Sequence, residues 1–225
     1  MSHAAPASWP APPLHASAPT GRVLGADVTA SMLAVAAQQT STIEPRIEWH
    51  ETGADHLPFA DGSFDAVVCQ QGMQFFPDLP AAAREGTRVT RAGGRVAATV
   101  WLPFFGSPYL EAQHHAIASL LGAEAGASYA DAFSCSAEHL TAVFRAAGLR
   151  DVTTRDVITP ITFHDVATYI PGHLSALPWG TALTQARATG LADATALMLE
   201  RLGDRVQPDG SLTSPIGAAL VSGTR

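Results

Sequence analysis

The stretch GADHLPFADGSFDAVVCQQGMQFFPD, residues 53–78, decides the fold of this chain. It begins as a loop rich in turn residues and continues into the unbroken apolar run of residues 64–70. A run of this kind between turns predicts a strand that is buried on both faces, as in a parallel sheet. Asp78 can then cap a helix, and Pro80 suits the first turn of that helix.

The segments on either side continue the alternation of strands and helices. Before the stretch lie a predicted strand at 22–28, a helix that begins after Thr29 and a strand at 47–52. After it come the turn Ala92-Gly93-Gly94 and a strand at 95–101. The order β-α-β-β-α-β predicts an α/β fold with a mostly parallel sheet covered by helices. The remaining predicted elements are helices at 109–121, 136–147 (capped by Ser136 and followed by Gly148), 165–176 and 182–203, and strands at 151–163 and 216–222.

The composition predicts a folded, acidic domain. The chain has 225 residues, of which 47% are hydrophobic and 15% charged, and its formal net charge is −7. This is enough apolar residue for a buried core and too little charge for a disordered chain. The negative balance argues against nucleic acid as a partner, because phosphate backbones attract basic patches. All 13 basic residues are arginine, which excludes Schiff-base chemistry and a P-loop lysine.

The sequence carries no pattern typical of export or of membrane insertion. Its start has neither the basic nor the apolar region of a secretory signal, and no stretch reaches the ~20 apolar residues of a spanning helix. The two cysteines, Cys69 and Cys135, make neither a disulfide framework nor a zinc cluster. These observations predict a cytoplasmic protein without a membrane span or a bound metal, with Cys69 as a small core residue.

Residues 1–20 differ in composition from the rest of the chain. They hold five prolines among many alanines, and proline neither continues a helix nor donates to a sheet ladder. We therefore expect a disordered, extended arm over residues 1–20 and one folded domain over residues 21–225.

Several blocks of the chain together resemble one enzyme family. They are GADVTASML at 25–33, GADHLPFADGSFDAVV at 53–68, RVTRAGGRV at 88–96 and AEHLTAVFRAAGLRDV at 137–152. In order and spacing they resemble the class I S-adenosylmethionine-dependent methyltransferases, in the type 11 group that includes quinone-biosynthesis C-methyltransferases. The resemblance implies a Rossmann-like sheet, mostly parallel, with an antiparallel C-terminal strand. It also implies S-adenosyl-L-methionine as cofactor, a small molecule as methyl acceptor, and helical substrate-cap insertions near 102–135 and 165–205.

The same resemblance implies which residues contact the cofactor. Asp27 corresponds to the acid that binds the cofactor ribose, at the carboxyl end of a strand, where doubly wound sheets bind ligands. The backbone N–H of Ala54 corresponds to a contact with the adenine ring. The full predicted set is Asp27, Val28, Met32, Ala54, Asp55 and Gln70. From the residues alone, Asp27 can also be a helix cap or a solvated acid, and Gln70 an ordinary polar residue at a strand end.

The chain departs from the family pattern at its start. The family begins with a strand and a glycine-rich loop, D-x-G-x-G-x-G, upstream of the position of Asp27, and this sequence has no such loop. That strand is the central one of the sheet, so we expect the strands at 22–28 and 64–70 each to have an unpaired edge. Our hypothesis is that the chain is a truncated or mis-started copy of a longer methyltransferase, with activity impaired by the missing loop.

A second, smaller departure lies at Gly53. The family usually has an aspartate at this position, directly before the alanine that corresponds to Ala54. Asp55, two residues further on, is a shifted substitute for the carboxylate that contacts the adenine amine. The sequence alone leaves that contact open.

No catalytic residue is assigned from the sequence. Methyl transfer from a sulfonium requires mainly that two reactants be held in line, and a base is needed only for a protonated acceptor. His114 and His115 are the candidate bases, although a packed or solvated histidine is the simpler interpretation. The aromatic side chains that could line a substrate pocket, or simply form core, are Trp101, Phe104, Phe105 and Tyr109.

Two other functions fit parts of the pattern. A nicotinamide-dependent oxidoreductase shares the α/β fold, but it requires a glycine-rich first turn and leaves the LPFADGSFD segment unexplained. A non-catalytic protein with a degenerate methyltransferase fold would use its open sheet edge to form homo-oligomers or to bind a partner. Binding of S-adenosylhomocysteine separates the enzyme from the non-catalytic protein.

Overall fold

The computed structural model describes residues 21–225, and the arm predicted over residues 1–20 lies outside this range. The described chain alternates strands and helices as far as Trp101 and is mainly helical after it. The elements are β1 (Val23–Asp27), α1 (Ala30–Gln39), β2 (Ile47–Glu51), β3 (Phe64–Gln70), α2 (Leu79–Val89), β4 (Thr90–Trp101), α3 (Pro108–Leu121), α4 (Ala123–Asp131), α5 (Ala137–Ala146), β5 (Arg150–Phe163), α6 (Val166–Ala176), α7 (Pro178–Ala186), α8 (Gly190–Leu202) and β6 (Leu212–Thr224). Short 3-10 turns lie at Met73–Phe75 and Gly203–Arg205.

β1 and β2 form a two-stranded parallel sheet. They pair residue for residue, from Val23 opposite Ile47 to Asp27 opposite Glu51. The ring of Trp49 lies over Gly25 so closely that no side chain fits there. The register of the pairing places the carboxyl ends of the two strands side by side.

The second sheet, in the order β3-β4-β6-β5, contains the C-terminal strand. The Gly93 N–H of β4 donates to the Arg225 carbonyl directly after β6, and the Arg225 N–H donates back to the Gly94 carbonyl, each at 3.0 Å. This exchange of hydrogen bonds is the pattern of an antiparallel pair. The predicted α/β fold, mostly parallel with an antiparallel C-terminal strand, is confirmed.

β1 and β3 each have one neighbouring strand among residues 21–225. β1 pairs with β2 and β3 pairs with β4, so the predicted unpaired edges are confirmed for the described chain. The prediction that β3 is buried on both faces is wrong, because Val68 is 74% exposed and its neighbour Ala66 is exposed as well. A strand with an uncovered face leaves the apolar residues of that face exposed, whatever its composition.

The described residues divide into two compact units. The first comprises the described residues up to Ala97 together with Ala142–Val152 and Ser222–Arg225. It contains the strands β1, β2 and β3 and the helices α1 and α2. The second comprises Ala98–Thr141 and Thr153–Val221, so both predicted helical insertions belong to it.

The second unit is built around α3, which contacts α4, α7 and α8. Its fully buried large side chains include Tyr109, Ile117, Tyr129, Ile170, Leu174, Leu183, Met198, Leu202 and Leu212. Among the described residues, the structure contains no helix with the length and apolar character needed to cross a membrane.

Side chains and glycines set several helix ends. Asp78 Oδ1 accepts the backbone N–H three residues on at 2.8 Å, and Ser136 Oγ does the same at 3.0 Å. Gly148 follows α5 at φ +90°, a left-handed value that glycine tolerates best. These ends agree with the sequence prediction. Thr29 does lie at the N-cap of α1, but its hydroxyl makes no capping bond.

The structure departs from the predicted elements at several places, and three of these departures have a local cause. The helix expected at 182–203 is the pair α7 and α8, because the chain turns where Gly190 lies against the Leu183 carbonyl. α4 is an additional helix, separated from α3 by Gly122 at φ +92°. The turn expected at 92–94 lies within β4, since Gly93 at φ +76° bends the strand without ending it.

Candidate functional site

The carboxyl ends of β1 and β2 bring the first predicted site residues together. Their pairing extends one step past the strands, where the Thr52 N–H donates to the Asp27 carbonyl at 3.0 Å. A tight turn follows, in which Thr52 Oγ1 donates to the His56 carbonyl at 2.9 Å. The turn at 52–56 therefore begins beside Asp27, at the sheet end where α/β folds bind ligands.

The partly buried carboxylate of Asp27 has one oxygen engaged and one available. Oδ1 accepts the Thr29 N–H at 2.8 Å, which orders the start of α1. The other oxygen accepts no hydrogen bond from the described residues. Both interpretations of Asp27 are thus compatible, because a carboxylate that supports a helix start can still accept a ligand hydroxyl.

Asp55 fills the space that a side chain at residue 53 would need. A Cβ placed on Gly53 would collide with Asp55 Oδ1, and it would lie 4.0 Å from Val28 Cγ1. The carboxylate of Asp55 therefore lies against the Gly53 backbone, next to the end of β1. This is the position that a shifted substitute for an aspartate at 53 requires, and its contact with adenine stays a prediction.

The other predicted residues divide between the two sheets. Val28 follows β1 and is 56% exposed, whereas Ala54 in the turn and Met32 in the first turn of α1 are partly buried. Gln70 is exposed at the end of β3, which belongs to the other sheet. The structure thus groups Val28 and Ala54 with the two aspartates and places Gln70 on a separate strand.

Arg88 fastens the loop between β2 and β3 to α2. Its guanidinium donates to the Leu57 carbonyl at 2.9 Å and to the Phe59 carbonyl at 2.8 Å, and it pairs with Asp61 at 2.6 Å. Glu85 accepts from Arg88 Nε at 2.7 Å and from the Leu57 N–H at 2.8 Å. The hydrogen bonds from Arg88 lower the pKa of Glu85 to about 2. The loop carries the predicted adenine contacts near its start, and its residues 57–61 are therefore held against α2.

The chain leaves β3 through a tight turn. Gln71 has φ +51°, a left-handed value that costs a non-glycine residue roughly 1–2 kcal/mol. A Cβ on Gly72 would lie 2.9 Å from Cys69 Sγ, so a side chain there would have to displace that sulfur. Burial raises the pKa of the Cys69 thiol to about 11, which supports the prediction of a core residue and not a nucleophile.

Sequence reasoning missed two buried polar side chains of the first unit. Both carboxamide atoms of Gln74, and Nε2 of His50, are buried without a hydrogen-bond partner among residues 21–225. More than about 90% of buried polar groups in folded proteins are paired, and an unpaired one costs roughly 1–3 kcal/mol. Orphaned groups of this kind fit a site that a polar ligand completes. A weak signal was the density of glutamine in the otherwise apolar segment 69–76.

A hydrogen-bond chain crosses the second unit. Tyr129 OH donates to Gln113 Oε1 at 2.8 Å, and Gln113 Nε2 lies 3.4 Å from His173 Nδ1. Tyr109 OH lies 2.7 Å from the same nitrogen. Because Gln113 turns its amino group to His173, Nδ1 accepts both bonds and the neutral ring carries its proton on Nε2. Burial lowers the pKa of His173 to about 4, which keeps the ring neutral at physiological pH.

The candidate bases and aromatic residues divide between the core and the surface. His114 packs its ring against Phe104 and Tyr129, with centroids 5.0 and 5.7 Å apart, and His115 is exposed. Phe104 is 3% exposed, which supports the core interpretation, whereas Phe105 is 76% exposed. In the described part of the chain, no three histidine, cysteine or acidic side chains cluster as metal ligands.

Comparisons with known proteins match this chain to methyltransferases. The methyltransferase-domain family of type 11 matches residues 7–98, so the match begins within the segment predicted as an arm. The ubiquinone/menaquinone biosynthesis C-methyltransferase UbiE of Bartonella tribocorum is 37% identical over 100 residues, which are 42% of this chain and 38% of that protein. The chain thus covers less than two fifths of the curated relatives that it matches.

Solved structures share the fold over most of the described chain. Phosphoethanolamine N-methyltransferase 2 of Haemonchus contortus aligns with a TM-score of 0.52 and 16% identity, covering 91% of this chain and 43% of that one. The [4+2]-cyclase SpnF aligns with a TM-score of 0.54 and 19% identity, covering 90% of this chain and 66% of that one. These alignments show the fold, and the second shows that the fold serves more than one chemistry. The chain thus shares its fold with these proteins, and its residues 7–98 match the methyltransferase-domain family of type 11.

Proposed function

We propose that the chain binds S-adenosylmethionine at the carboxyl ends of β1 and β2 and transfers its methyl group to a small molecule. The observation that carries this proposal is the geometry around Gly53. There the Asp55 carboxylate takes the space of a missing side chain, one residue from the Thr52–Asp27 hydrogen bond. The family supplies the cofactor, and the UbiE relative, named for quinone biosynthesis, supports a small acceptor.

The free oxygen of Asp27 is suited to the ribose of the cofactor. A carboxylate at the end of a strand accepts hydrogen bonds from vicinal hydroxyls, and these bonds are stronger than neutral ones. The Thr29 N–H on the opposite oxygen holds the carboxylate in place at 2.8 Å. Asp27 is therefore oriented before any ligand arrives.

The turn at 52–56 is suited to the adenine ring. The Ala54 N–H can donate to a ring nitrogen, and the Asp55 carboxylate can accept from the exocyclic amine. Val28, which is 56% exposed at the end of β1, offers an apolar surface beside them, and Met32 lies one turn further along the chain. Gln70, on the other sheet, stays a predicted cofactor contact with less support.

The bound cofactor supplies an electrophilic methyl group on a sulfonium with a good leaving group. The protein then has to hold the acceptor in line with that methyl group and to exclude water, and such positioning supplies on the order of 7–11 kcal/mol. A general base is needed only for an acceptor that must lose a proton. Because the cofactor supplies the reactive group and the protein mainly positions the acceptor, no catalytic dyad has to be assigned.

Isothermal titration of the full chain with S-adenosylhomocysteine tests the proposal. We expect micromolar binding to the unmodified protein and an affinity at least about tenfold lower for Asp27→Ala, which loses a charge-assisted hydrogen bond. Asp156→Ala, which removes an exposed acid on β5, is the matched control and should bind as the unmodified protein does. Equal affinities for both variants would show that Asp27 does not contact the ligand.

A non-catalytic, edge-pairing protein is the second candidate function. It is favoured by the one-sided pairing of β1 and β3 within the described chain and by the exposure of Val68. Such an edge pairs readily with a strand of another copy. This candidate predicts a dimer or larger assembly in light scattering and no rise of the melting temperature with S-adenosylhomocysteine. A monomer that S-adenosylhomocysteine stabilises would exclude it.

A further inference from the structure

We propose that the Gln74 side chain binds the amino-carboxylate end of the cofactor. Nε2 donates to the carboxylate, and Oε1 accepts from the ammonium group. The inference rests on the proposed cofactor function and adds to it a residue outside the two predicted strand ends.

The first observation is the burial of an unsatisfied amide. Both Nε2 and Oε1 of Gln74 are shielded from solvent, and neither has a hydrogen-bond partner in the described chain. A carboxamide with both ends unpaired leaves a donor and an acceptor buried side by side. The missing partner must therefore present an acceptor and a donor next to each other.

The second observation is that the backbone under Gln74 is held firmly. Gln74 is the middle residue of the 3-10 turn Met73–Phe75, and Met73 is only 4% exposed. The Phe75 N–H donates to the Gly72 carbonyl at 2.9 Å, and the Phe76 N–H donates to the Met73 carbonyl at 3.2 Å. A side chain on such a turn is placed by its packed neighbours, so its orphaned amide is a property of the fold.

A second buried glutamine shows what a structural role looks like in the same protein. Gln113 is 2% exposed, its Oε1 accepts from Tyr129 OH at 2.8 Å, and its Nε2 lies 3.4 Å from His173 Nδ1. Both ends of that carboxamide are satisfied by protein groups. Gln74 differs from Gln113 in this respect, and the difference points to a ligand.

The chemistry of the cofactor identifies the group that Gln74 binds. S-adenosylmethionine has three places where a donor lies beside an acceptor, namely the adenine edge, the ribose hydroxyls and the α-amino-carboxylate. In the proposed site, Asp27 binds the ribose hydroxyls. In the proposed site, Ala54 and Asp55 bind the adenine edge. The amino-carboxylate remains, and its two charges each form a charge-assisted bond with one end of a carboxamide. Gln74 also follows the carboxyl end of β3, the kind of position at which α/β sheets bind ligands.

Two ligands that differ only at this end provide the test. S-adenosylhomocysteine carries the amino-carboxylate, whereas 5′-methylthioadenosine has the same adenine, ribose and thioether without it. We expect Gln74→Met to lower the affinity for S-adenosylhomocysteine by about tenfold or more in isothermal titration. The affinity for 5′-methylthioadenosine should stay the same. Gln185→Met, an exposed glutamine on α7, is the matched control and should change neither affinity.

The outcomes separate this inference from the proposed function. If the unmodified protein binds neither ligand, the cofactor function itself fails. Suppose that the unmodified protein binds both ligands. If Gln74→Met then lowers both affinities equally, or lowers neither, the assignment of Gln74 to the amino-carboxylate is wrong. Gln74→Leu, which likewise removes both the donor and the acceptor, provides a second variant and should again spare the binding of 5′-methylthioadenosine.

Thermal unfolding without ligand provides a readout that is independent of binding. Replacing an unsatisfied buried amide by an apolar side chain of similar size removes a desolvation penalty, so Gln74→Met should raise the melting temperature. Gln113→Met breaks two satisfied hydrogen bonds and should lower it. A comparable fall in both variants would show that Gln74 has a protein partner, which overturns the inference.

Discussion

At residue 53 the chain lacks a side chain, and the carboxylate of Asp55 takes up the space. A Cβ at this position would collide with Asp55 Oδ1, so a side chain at residue 53 would force the Asp55 carboxylate to move. The same functional group is thus supplied from a neighbouring position. This is a residue-scale substitution that can be reversed by mutagenesis.

Relocating the carboxylate tests this interpretation. Asp55→Ala should lower the affinity for S-adenosylhomocysteine about tenfold, because a charge-assisted hydrogen bond to the adenine amine is lost. Gly53→Asp combined with Asp55→Ala should restore most of that affinity. A double variant that binds no better than Asp55→Ala, measured by isothermal titration, would show that the position of the carboxylate is not the cause.

His173 predicts a dependence of stability on pH. Burial lowers its pKa from the ordinary value of 6.5 to about 4, so the unfolded chain binds a proton before the folded one does. The contribution of the neutral ring is fully present above pH 6.5 and is lost as the pH falls toward 4. Between these values it changes by on the order of 3 kcal/mol.

Urea unfolding at a series of pH values measures this contribution. The difference in unfolding free energy between the unmodified protein and His173→Gln should shrink as the pH falls from 6.5 to 4. Gln185→Ala, at an exposed position of α7, should show a difference that does not vary with pH, because neither side chain ionises. A difference for His173→Gln that is also flat would mean that the ring takes up its proton equally easily in both states.

At the scale of elements, two glycines in the helices of the second unit have opposite roles. Gly190 begins α8, and a Cβ there would overlap the Leu183 carbonyl, whereas Gly172 in α6 has open space around its Cβ position. Gly190→Ala should therefore destabilise the protein by ~1–3 kcal/mol, as overpacking does. Gly172→Ala should stabilise it by ~0.5–1 kcal/mol, because alanine favours a helix interior. Chemical unfolding of both variants measures this contrast. Changes of the same sign in the free energy of unfolding would contradict the packing between α7 and α8.

The same elements show what could be predicted from the sequence. The bounds of β3 and the cap of α2 follow from local chemistry, an apolar run between turns and the Asp78 carboxylate, and both are confirmed. The exposure of Val68 and the break between α7 and α8 depend on which segments pack against them. The hydrophobic periodicity of a segment and its secondary-structure propensity do not contain that information.

The candidate site likewise contains residues that could be predicted from the sequence and one that could not. Asp27 was identifiable because it ends a strand in a known family pattern, and its neighbours in the turn at 52–56 followed from the same pattern. Gln74 was not identifiable, since its significance is the absence of a partner for a buried amide among residues 21–225. Such an absence is a three-dimensional property that no spacing of residues reveals.

At the scale of the whole molecule, the proposed cofactor site depends on two sheets whose strands β1 and β3 each have one neighbour among the described residues. Within the described chain β1 and β2 form one sheet and β3 begins another. The predicted ribose and adenine contacts all belong to the first of these sheets and the turn after it. Their geometry is therefore built by the parallel pairing of β1 with β2 and by the clamp that Arg88 places on the following loop.

Hydrogen–deuterium exchange of the full chain, with and without S-adenosylhomocysteine, tests the location of the cofactor most directly. The account predicts slower exchange on ligand binding in peptides that cover residues 26–33 and 52–57, with little change in α6 to α8. Protection confined to the helices of the second unit, or no protection at saturating ligand, would contradict a cofactor site at the ends of β1 and β2.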